Sequence, residues 1–358
     1  MRAERSHKNP AQEGLAIGYD ADGDVLLDVR DLRVHFHTER GVVRAVDGVN
    51  LTIRRHRTLG VVGESGCGKS VMALAIMGLI PSPAAQITGQ ILFHRARGDV
   101  IDLVQAARKG REMRAVRGAK IAMIFQEPMT ALNPVHTVGR QIAEAIRLHQ
   151  GVGRREARMR AIEMLAKVGI PAPARRVDDY PHQLSGGMRQ RVMIAMALAC
   201  NPELLICDEP TTALDVTVQA QILELMQRLQ EEFHMAIVLI SHDLGVVAEV
   251  VDEVAVMYLG QIVEYGDVRD VFARRAHPYT DALFRSLPVL GSRGKERLKP
   301  IEGMVPDAAE VPPGCRFAPR CARRFERCGD PPPLNPLGAG HVARCWLHAV
   351  EESAVHGA

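Results

Sequence analysis

The sequence is poor in aromatic residues and lacks a strong charge of either sign. Only 4% of its 358 residues are Phe, Trp or Tyr, and the formal net charge is +3. Proteins that bind nucleic acid usually rely on a strongly basic surface or on aromatic rings that stack with bases. The composition therefore argues against nucleic acid as the main ligand.

Long hydrophobic runs are also missing. No stretch reaches the roughly 18 consecutive apolar residues that a membrane helix needs, and the ten-residue run at 71–80 predicts a buried helix instead. Residues 1–24 are polar, mixed in charge and without the apolar segment of a secretory signal. We expect them to form a disordered tail, and we expect other chains to supply any membrane spans.

Apolar residues make up 47% of the chain, which is enough for a sizeable core, and the length suggests about two structural units. The seven cysteines are odd in number and accompany no export signal, which favours a reducing compartment. Four of them cluster near the C-terminus, where a metal site is favoured over a disulfide framework. These four are Cys315, Cys321, Cys328 and Cys345.

The pattern of apolar residues predicts a parallel α/β protein. A strand at Leu59–Val62 is followed by a glycine-rich turn and by a helix from Lys69 to about Leu79, which is a strand–turn–helix unit. Leu204–Cys207 is nearly all apolar, as in a strand buried on both faces. Further strands are predicted at Leu26–Phe36, Val49–Ile53, Ile87–Phe93, Lys120–Phe125, Ile237–Ile240 and Val254–Tyr258.

Helical periodicity dominates from about Pro128 to Leu198. Met159, Ile162, Leu165 and Ala166 are spaced to share one face of a helix there. A second amphipathic helix is predicted by Val218, Ile222, Leu225 and Leu229. After about residue 275 proline becomes frequent and the periodicity fades, which predicts a C-terminal extension.

The turn after the predicted strand Leu59–Val62 fits the pattern G-x-x-x-x-G-K-[ST] over residues 63–70. It lies between a strand and a helix, which is the context that such a phosphate-binding loop requires. Its glycines let backbone N–H groups surround phosphate oxygens, and the helix N-terminus adds partial positive charge. Lys69 is expected to reach the β- and γ-phosphates, and the Ser70 hydroxyl to bind Mg²⁺. The remaining candidates in this loop are Gly63, Ser65, Gly66, Cys67 and Gly68.

Two other segments complete the candidate site. Asp208 ends the strand that begins at Leu204, a position suited to holding Mg²⁺, and Glu209 follows where it can polarise an attacking water. In Leu184–Met188, Ser185 is a natural helix N-cap, and Gly186 and Gly187 expose the first N–H groups of the next helix. Two phosphate-binding ends in one chain suggest that nucleotide lies between two such chains.

Together these segments resemble the ATP-binding subunits of ABC transporters, over roughly residues 25–290. The Walker A motif matches 63–70, the signature motif LSGGM matches 184–188 and the Walker B motif matches 204–209. Three further landmarks follow in the family's order: a Q-loop at Gln126, a D-loop at 212–215 that ends in Asp215, and a switch histidine at His242.

The resemblance implies a role for each landmark. Gln126 and Asp208 would complete the Mg²⁺ shell around ATP, Glu209 would be the general base and His242 would contact the γ-phosphate. The signature residues would act on the ATP of a partner subunit. The family stacks adenine on an aromatic residue after the first strand, and Phe36, at the start of a loop expected at 36–44, is the candidate. Met188 replaces the signature's commoner Gln, but the Ser and glycine amides remain.

Three segments are similar to the dipeptide/oligopeptide importer subfamily: 127–134, 276–288 and 313–321. The resemblance implies a RecA-like P-loop NTPase core with an antiparallel β subdomain and a helical signature subdomain at about 128–200, together spanning 25–275. A cysteine-containing extension follows at 276–358. The resemblance implies a second ATPase subunit, expected to be a paralogue, two transmembrane permeases and an extracytoplasmic binding protein as partners. It also implies a location at the cytoplasmic face of the inner membrane.

The C-terminal cysteines leave three alternatives open. Their C-x5-C-x6-C-x16-C spacing permits a [4Fe–4S] cluster, whose four thiolates can come from loops. Structural zinc sites usually use tighter pairs, and free thiols are the third alternative. The surrounding arginines would offset the negative charge of a cluster, and the subfamily resemblance favours iron–sulfur. These arginines are Arg316, Arg320, Arg323, Arg324 and Arg327.

Rival functions predict features that the sequence does not have. A soluble ABC ATPase acting on DNA or ribosomes would carry tandem cassettes, a coiled-coil insertion or a basic arm. An iron–sulfur redox protein would not need the complete hydrolytic set of motifs. Nickel chelates and sugars remain alternative cargoes, because ATPase motifs do not contact the transported substrate.

Overall fold

The computed structural model describes residues 24–81, 85–95, 98–126, 131–212, 215–286, 301–338 and 340–349. The tail expected at residues 1–24 falls outside this part of the chain, apart from Asp24. Residues 127–130 after the Q-loop, Ala213 and Leu214 of the D-loop, and 287–288 of the importer-like segment also lie outside it. Within the described residues, no helix is long and apolar enough to cross a membrane.

The N-terminal layer is a four-stranded antiparallel sheet in the order β2-β1-β4-β5. Val34 of β1 pairs with Val46 on one side and with Ile87 on the other, and all its inward-facing residues join one apolar core. The residues expected to form a loop at 36–44 instead continue both strands of a hairpin whose turn lies between Thr38 and Gly41. The strands are β1 (Val25–Thr38), β2 (Gly41–Arg54), β4 (Ala85–His94) and β5 (Val100–Asp102).

The main sheet has eight strands in the order β11-β12-β10-β9-β3-β8-β7-β6, and its neighbours from β9 to β6 pair in parallel. The parallel strands are buried throughout, as their apolar sequences predicted. The strands are β3 (Thr58–Val62), β6 (Ile121–Ile124), β7 (Leu204–Asp208), β8 (Ala236–Ser241), β9 (Glu253–Tyr258), β10 (Gln261–Asp267), β11 (Asn335–Gly338) and β12 (His341–Ala343).

The two faces of this sheet contribute to two different apolar cores. Leu204 and Ile206 of β7 pack with the antiparallel layer, whereas Leu205 and Cys207 pack on the helical side. This alternation follows from the two-residue period of a strand. The sheet is therefore the middle layer of the protein, and the predicted α/β class is confirmed.

The parallel strands place the predicted motifs at one edge. The segments following β3, β6, β7 and β8 begin with Gly63, Phe125, Glu209 and His242 respectively. Because the carboxyl ends of parallel strands lie at the same edge of a sheet, ligands bind in the crevice outside that edge. Four sequence segments separated by many residues thereby meet at one site.

Most helices contribute to the core on the side of the sheet away from the antiparallel layer, whereas Met72 and Met113 of the first two helices pack in the core of that layer. The helices in chain order are α1 (Lys69–Ile76), α2 (Arg111–Val116), α3 (Val138–Gln150), α4 (Arg154–Lys167), α5 (Pro173–Arg176), α6 (Gly186–Leu198), α7 (Val216–Phe233), α8 (Leu244–Val250), α9 (Val268–Arg274) and α10 (Pro278–Arg285). The first of these ends three residues before the expected Leu79, and Gly78 adopts a φ of 60° in the turn that follows.

The buried face of α4 differs from the face expected from the sequence. Met159 is 52% exposed and Ala166 is also exposed, whereas Ala157, Ala161 and Leu165 are fully buried. Two alanines at i and i+4 make a small-residue face, which lets neighbouring helices approach closely. The prediction placed the large Met159 on the buried face. The size of a side chain alone does not decide which face of a helix packs against the core.

The C-terminal region adds two strands to the main sheet. β12 pairs with β10 through Glu264↔Ala343 and Tyr265↔Val342, within the segment where proline and fading periodicity had predicted a C-terminal extension. Glu264 is completely buried and accepts hydrogen bonds from the backbone N–H groups of Ala276 and His277 and from His341 Nε2. Burial alone would raise the pKa of Glu264, but these hydrogen bonds hold it below its usual value.

Candidate active site

The loop between β3 and α1 has a backbone that only glycine tolerates at key positions. Gly63 and Gly68 adopt φ values of 154° and 106°. A Cβ at Gly63 would lie 2.2 Å from the carbonyl oxygen of Met257, and one at Gly68 would lie 2.1 Å from that of Ala45. The loop is therefore tightly wrapped, as a phosphate-binding loop requires.

Lys69 is the first residue of α1 and is only 4% exposed. Its ammonium group donates hydrogen bonds to the carbonyl oxygens of Gly63 (2.7 Å) and Glu64 (3.0 Å) and lies 3.7 Å from Cys67 Sγ. The amine thus lies inside the curve of the loop, where a phosphate group would meet it.

Ser70 and Asp208 meet across the site. The hydroxyl of Ser70 donates a 3.0 Å hydrogen bond to Asp208 Oδ1. Burial raises the pKa of Asp208, and the neighbouring Glu209 adds to this effect. A hydroxyl and a buried carboxylate side by side at the loop suit a cation such as Mg²⁺, which prefers oxygen ligands.

Glu209 is the centre of a polar cluster. Its Oε2 accepts hydrogen bonds from Gln126 Nε2 (3.1 Å) and Thr212 Oγ1 (3.0 Å), and His242 Nδ1 lies 3.3 Å from the same oxygen. Glu209 has a φ of 48°, which is uncommon for a residue with a side chain and often marks functional sites. Three predicted residues therefore converge, although Gln126 contacts Glu209 and not Asp208.

The signature turn has the predicted cap. Ser185 Oγ accepts a hydrogen bond from the N–H of Met188 at 3.4 Å and so caps α6, which confirms Ser185 as the N-cap. Ser185 and Gly186 are exposed, and a Cβ on Gly187 would approach Val218 Cγ1 at 3.1 Å. This helix end faces outward and is available to a ligand or a second molecule.

Asp215 and Phe36 have local roles in the fold. The side chain of Asp215 caps α7 by accepting a hydrogen bond from the N–H of Val218 at 3.0 Å. Phe36 is half-buried in β1, between Val43 and Ala85 on the neighbouring strands. Asp215 is exposed and Phe36 is partly exposed, so each side chain keeps surface that a ligand can contact.

Sequence reasoning missed several contacts that shape the site. Thr212 was recognised only as part of a motif and not as a partner of Glu209. Gln190, buried in α6, donates a 2.6 Å hydrogen bond to the carbonyl oxygen of Pro210 and so joins the signature helix to the segment after β7. A buried Gln side chain needs a partner, but the sequence alone does not show that Gln190 is buried.

Glu64 in the phosphate-binding loop is held by two residues of the C-terminal region. Its N–H donates a 2.8 Å hydrogen bond to Tyr279 Oη. Arg320 donates to both of its carboxylate oxygens, at 2.7 and 3.0 Å. This bidentate pair raises the pKa of Arg320 above its usual value. No local motif signals these contacts, since 256 residues separate Glu64 from Arg320.

The four C-terminal cysteines line one cavity. Phe317 and Trp346 also contribute to its wall. Burial, with smaller contributions from the other three cysteines, raises the pKa of the Cys345 thiol to about 11. All four cysteines are free of disulfide bonds. The metal-site alternatives required Cys315, Cys321, Cys328 and Cys345 to lie near one another, and all four line this cavity.

Among the residues that the structure describes, no group of three or more His, Cys, Asp or Glu is arranged to hold a metal ion. A zinc ion would draw four sulfurs to within about 3.8 Å of one another, given its bond length of about 2.3 Å. The cysteine cavity therefore does not fit the zinc alternative as it stands. The same finding gives no support for an iron–sulfur cluster at these cysteines, so the cluster stays a prediction.

Comparison with known protein families agrees with the motifs. Residues 46–212 match the family described as "ABC transporter". Residues 263–328 match the family described as "Oligopeptide/dipeptide transporter, C-terminal region". The second match covers Arg320 and three of the four clustered cysteines.

Curated proteins similar to this chain match over most of its length. A probable peptide ABC transporter ATP-binding protein of Sinorhizobium fredii is 53% identical, over 90% of this chain and 95% of its own. The dipeptide transport ATP-binding protein of Escherichia coli is 51% identical, over 89% and 96%. That of Bacillus subtilis is 50% identical, over 90% and 94%.

Among solved structures, the dimeric post-hydrolysis state of an ATP-binding cassette bound to ADP and phosphate matches with a TM-score of 0.59. It is 28% identical and covers 68% of this chain and 99% of its own. The fold and the site thus define a P-loop ATPase of the ABC cassette class. The chain belongs to the ABC transporter family, as an ATP-binding subunit with the C-terminal region of the oligopeptide/dipeptide group.

Proposed function

We propose that this chain hydrolyses ATP to drive the import of dipeptides or oligopeptides through partner permeases. The observation that carries the hydrolytic part is the meeting of the Ser70–Asp208 pair with the cluster around Glu209 at one edge of the sheet. The peptide cargo is supported by relatives of at least 50% identity whose names specify peptide or dipeptide transport.

In this proposal, different residues of one chain bind the phosphates, hold Mg²⁺ and carry out hydrolysis. The N–H groups of the loop, the ammonium of Lys69 and the end of α1 bind the phosphates. Ser70, Asp208 and Gln126 would hold Mg²⁺, which would offset the negative charge of the phosphates. Glu209 then accepts the proton of the attacking water, while His242 holds the γ-phosphate.

The remaining binding residues act at the edges of the nucleotide. Ser65, Gly66 and Cys67 contribute the middle of the loop, which spans the gap between Gly63 and Gly68. Phe36 stacks on adenine with the part of its ring that remains exposed at the end of β1. Half-burial in the sheet would fix the ring orientation, which is an advantage for stacking.

Hydrolysis requires a second subunit in this proposal. The signature turn of Ser185, Gly186 and Gly187 is exposed, and its capped helix end is a favourable place for the γ-phosphate of a partner's ATP. Asp215 lies near this turn, because it accepts a hydrogen bond from the N–H of Val218, whose Cγ1 would lie 3.1 Å from a Cβ placed on Gly187. The dimeric state of the solved cassette supports this arrangement, and a paralogue is the proposed partner.

Location and further partners follow from the cargo. We propose that the chain is peripheral to the cytoplasmic face of the inner membrane, on two transmembrane permeases that receive peptide from an extracytoplasmic binding protein. Nickel chelates and sugars are the alternative cargoes. They would be favoured by ATP turnover that responds to such a compound and not to peptides.

For the cysteine cavity we propose a [4Fe–4S] cluster bound by Cys315, Cys321, Cys328 and Cys345. The convergence of four thiols on one apolar cavity supports it. Anaerobically purified protein should then contain about four iron atoms and four acid-labile sulfides per chain. Replacing Cys328 by Ser should remove most of both, whereas Cys200→Ser should not. Stoichiometric zinc in place of iron, or no metal at all, would contradict this assignment.

Reconstitution tests the import function. The chain is assembled with its candidate ATPase partner and permeases in liposomes, and uptake of a labelled dipeptide is measured with ATP on the side of this chain. We expect uptake that requires ATP and the binding protein and that stops with Glu209→Gln. An active ATPase that never moves peptide under these conditions would refute the proposed cargo.

A further inference from the structure

The phosphate-binding loop is physically attached to the cysteine-bearing segment. Arg320 directly precedes Cys321, and its side chain is only 4% exposed where it grips the carboxylate of Glu64. A bidentate arginine–carboxylate pair fixes both distance and orientation. The loop and the cysteine segment therefore cannot shift independently without breaking a largely buried ion pair.

A second connection runs through aromatic rings. Tyr279, whose hydroxyl accepts the hydrogen bond of the Glu64 N–H, contacts Tyr258 with ring centroids 4.5 Å apart. Both tyrosines contact Phe317 at 5.3 Å. Because Phe317 lines the cysteine cavity, packing alone links the wall of that cavity to the loop.

The charge of Glu64 gives this attachment a consequence for nucleotide. A carboxylate in a loop that must surround a triphosphate repels the ligand, and the repulsion is strong where water is partly excluded. Arg320 neutralises this carboxylate and holds it against the C-terminal region. Without Arg320, the negative charge would remain at the loop and its side chain would be free to turn toward the phosphates.

We propose that Arg320 is a positioning residue through which the cysteine-bearing segment sets the affinity of the phosphate-binding loop for ATP. The inference rests on the proposed role of residues 63–70 as the phosphate site. Cys321 lines the cysteine cavity, and the adjacent Arg320 holds Glu64, so a group bound in the cavity would act on Glu64 through Arg320. Filling or emptying the cavity would therefore change the affinity for ATP but would not change the residues that carry out hydrolysis.

A double-mutant cycle tests the charge argument on the full-length chain. The Kd of Mg²⁺ and a fluorescent ATP analogue is measured for Arg320→Gln, Glu64→Gln and the double variant, and KM and kcat for ATP are measured in the assembled transporter. We expect Arg320→Gln to raise Kd and KM about tenfold with little change in kcat. The double variant should return to within about twofold of Glu64→Gln. Arg158→Gln is the matched control, since it breaks an exposed bidentate pair with Asp178.

A second set of variants tests the connection to the cysteines. Cys321→Ser should weaken binding several-fold in the wild-type background but not further in the Arg320→Gln background. Tyr279→Phe keeps the ring and removes only the hydroxyl, so it should fold and raise Kd about twofold to fivefold. It provides the test if Arg320→Gln proves too unstable to purify.

Two results would overturn the proposal. One is an unchanged Kd in Arg320→Gln or, if that variant cannot be purified, in Tyr279→Phe. The other is a double variant as impaired as Arg320→Gln alone, which would mean a purely structural role. Peptide uptake is a separate readout: import by a complex whose Arg320→Gln Kd is unchanged would refute the coupling but leave the import function intact. The expected rise of Kd in Arg320→Gln, without peptide uptake by the complex, would support the coupling and refute the proposed import function.

Discussion

The hydroxyl of Ser70 lies 3.0 Å from a carboxylate oxygen of Asp208, although 138 positions separate the two residues in sequence. Ser70 belongs to the helix after β3 and Asp208 ends β7, with β8 lying between these two strands in the sheet. The parallel order of the strands brings the two oxygens together at one edge. This pair is the proposed Mg²⁺ site, and it stands beside the cluster around Glu209.

Asp208→Asn should weaken the Mg²⁺ site. A neutral amide is a poorer ligand than a carboxylate for this cation, and loss of the ion removes several kcal/mol of transition-state stabilisation. ATP turnover of the assembled complex should therefore fall about a hundredfold or more at low millimolar Mg²⁺, with partial recovery as Mg²⁺ increases. Asp99→Asn, at an exposed position far along the chain, is the control. A variant with the wild-type Mg²⁺ dependence would rule out Asp208 as a ligand.

Glu209→Gln should separate ATP binding from ATP hydrolysis. The amide keeps the size of the side chain but cannot accept the proton of the attacking water, so turnover should fall by about 10² to 10⁴. Nucleotide affinity should stay within a few-fold of wild type, and ATP should trap a closed dimer, as seen by size-exclusion chromatography. Glu249→Gln provides a carboxylate control on the exposed side of α8. Wild-type turnover in Glu209→Gln would exclude this residue as the base.

Lys69→Ala should act on binding itself. The buried ammonium already makes hydrogen bonds with the loop at 2.7 and 3.0 Å, and it is positioned to exchange one of them for phosphate. A charge-assisted hydrogen bond contributes about 1.5–3 kcal/mol, so Kd for ATP should rise about tenfold to a hundredfold. Isothermal titration measures this directly. Unchanged affinity with lost turnover would assign Lys69 to the chemical step alone.

Glu264 should make stability depend on acid pH. Its pKa is held below the usual 4.5 in the folded chain, so the ionised form favours folding. The stabilisation is complete above about pH 4.5 and is lost as pH falls through the lower, folded-state pKa. Glu264→Gln should therefore lower the midpoint of thermal unfolding at pH 7 by several degrees, and the difference from wild type should shrink toward pH 3. A difference that stays constant with pH would show that packing, and not charge, makes this contribution.

The sequence predicted those parts of the protein whose signals are local. Gly63 to Ser70 form one short motif, and Leu204–Asp208 is one apolar run, so each could be placed without knowing the rest of the chain. The order of motifs along the chain was enough to group Gln126, Asp208, Glu209 and His242. Their meeting follows from parallel strands that end at one edge.

Contacts between distant segments could not be predicted in this way. Nothing near Glu64 indicates that Arg320 is its partner, and nothing near His341 indicates that β12 extends the sheet beside β10. The face of α4 was missed for a different reason, since Ala157 and Ala161 pack closely although Met159 is more hydrophobic. In both cases the outcome depends on which surfaces fit together, and a local pattern does not contain that information.

The most direct test of the account is a structure of the assembled Glu209→Gln complex with ATP and Mg²⁺. Two subunits should enclose two nucleotides, with Ser185 Oγ and the N–H of Gly187 of one subunit about 3 Å from the γ-phosphate held by Lys69 and Ser70 of the other. A fully assembled and active complex in which this turn lies far from every γ-phosphate would contradict the account.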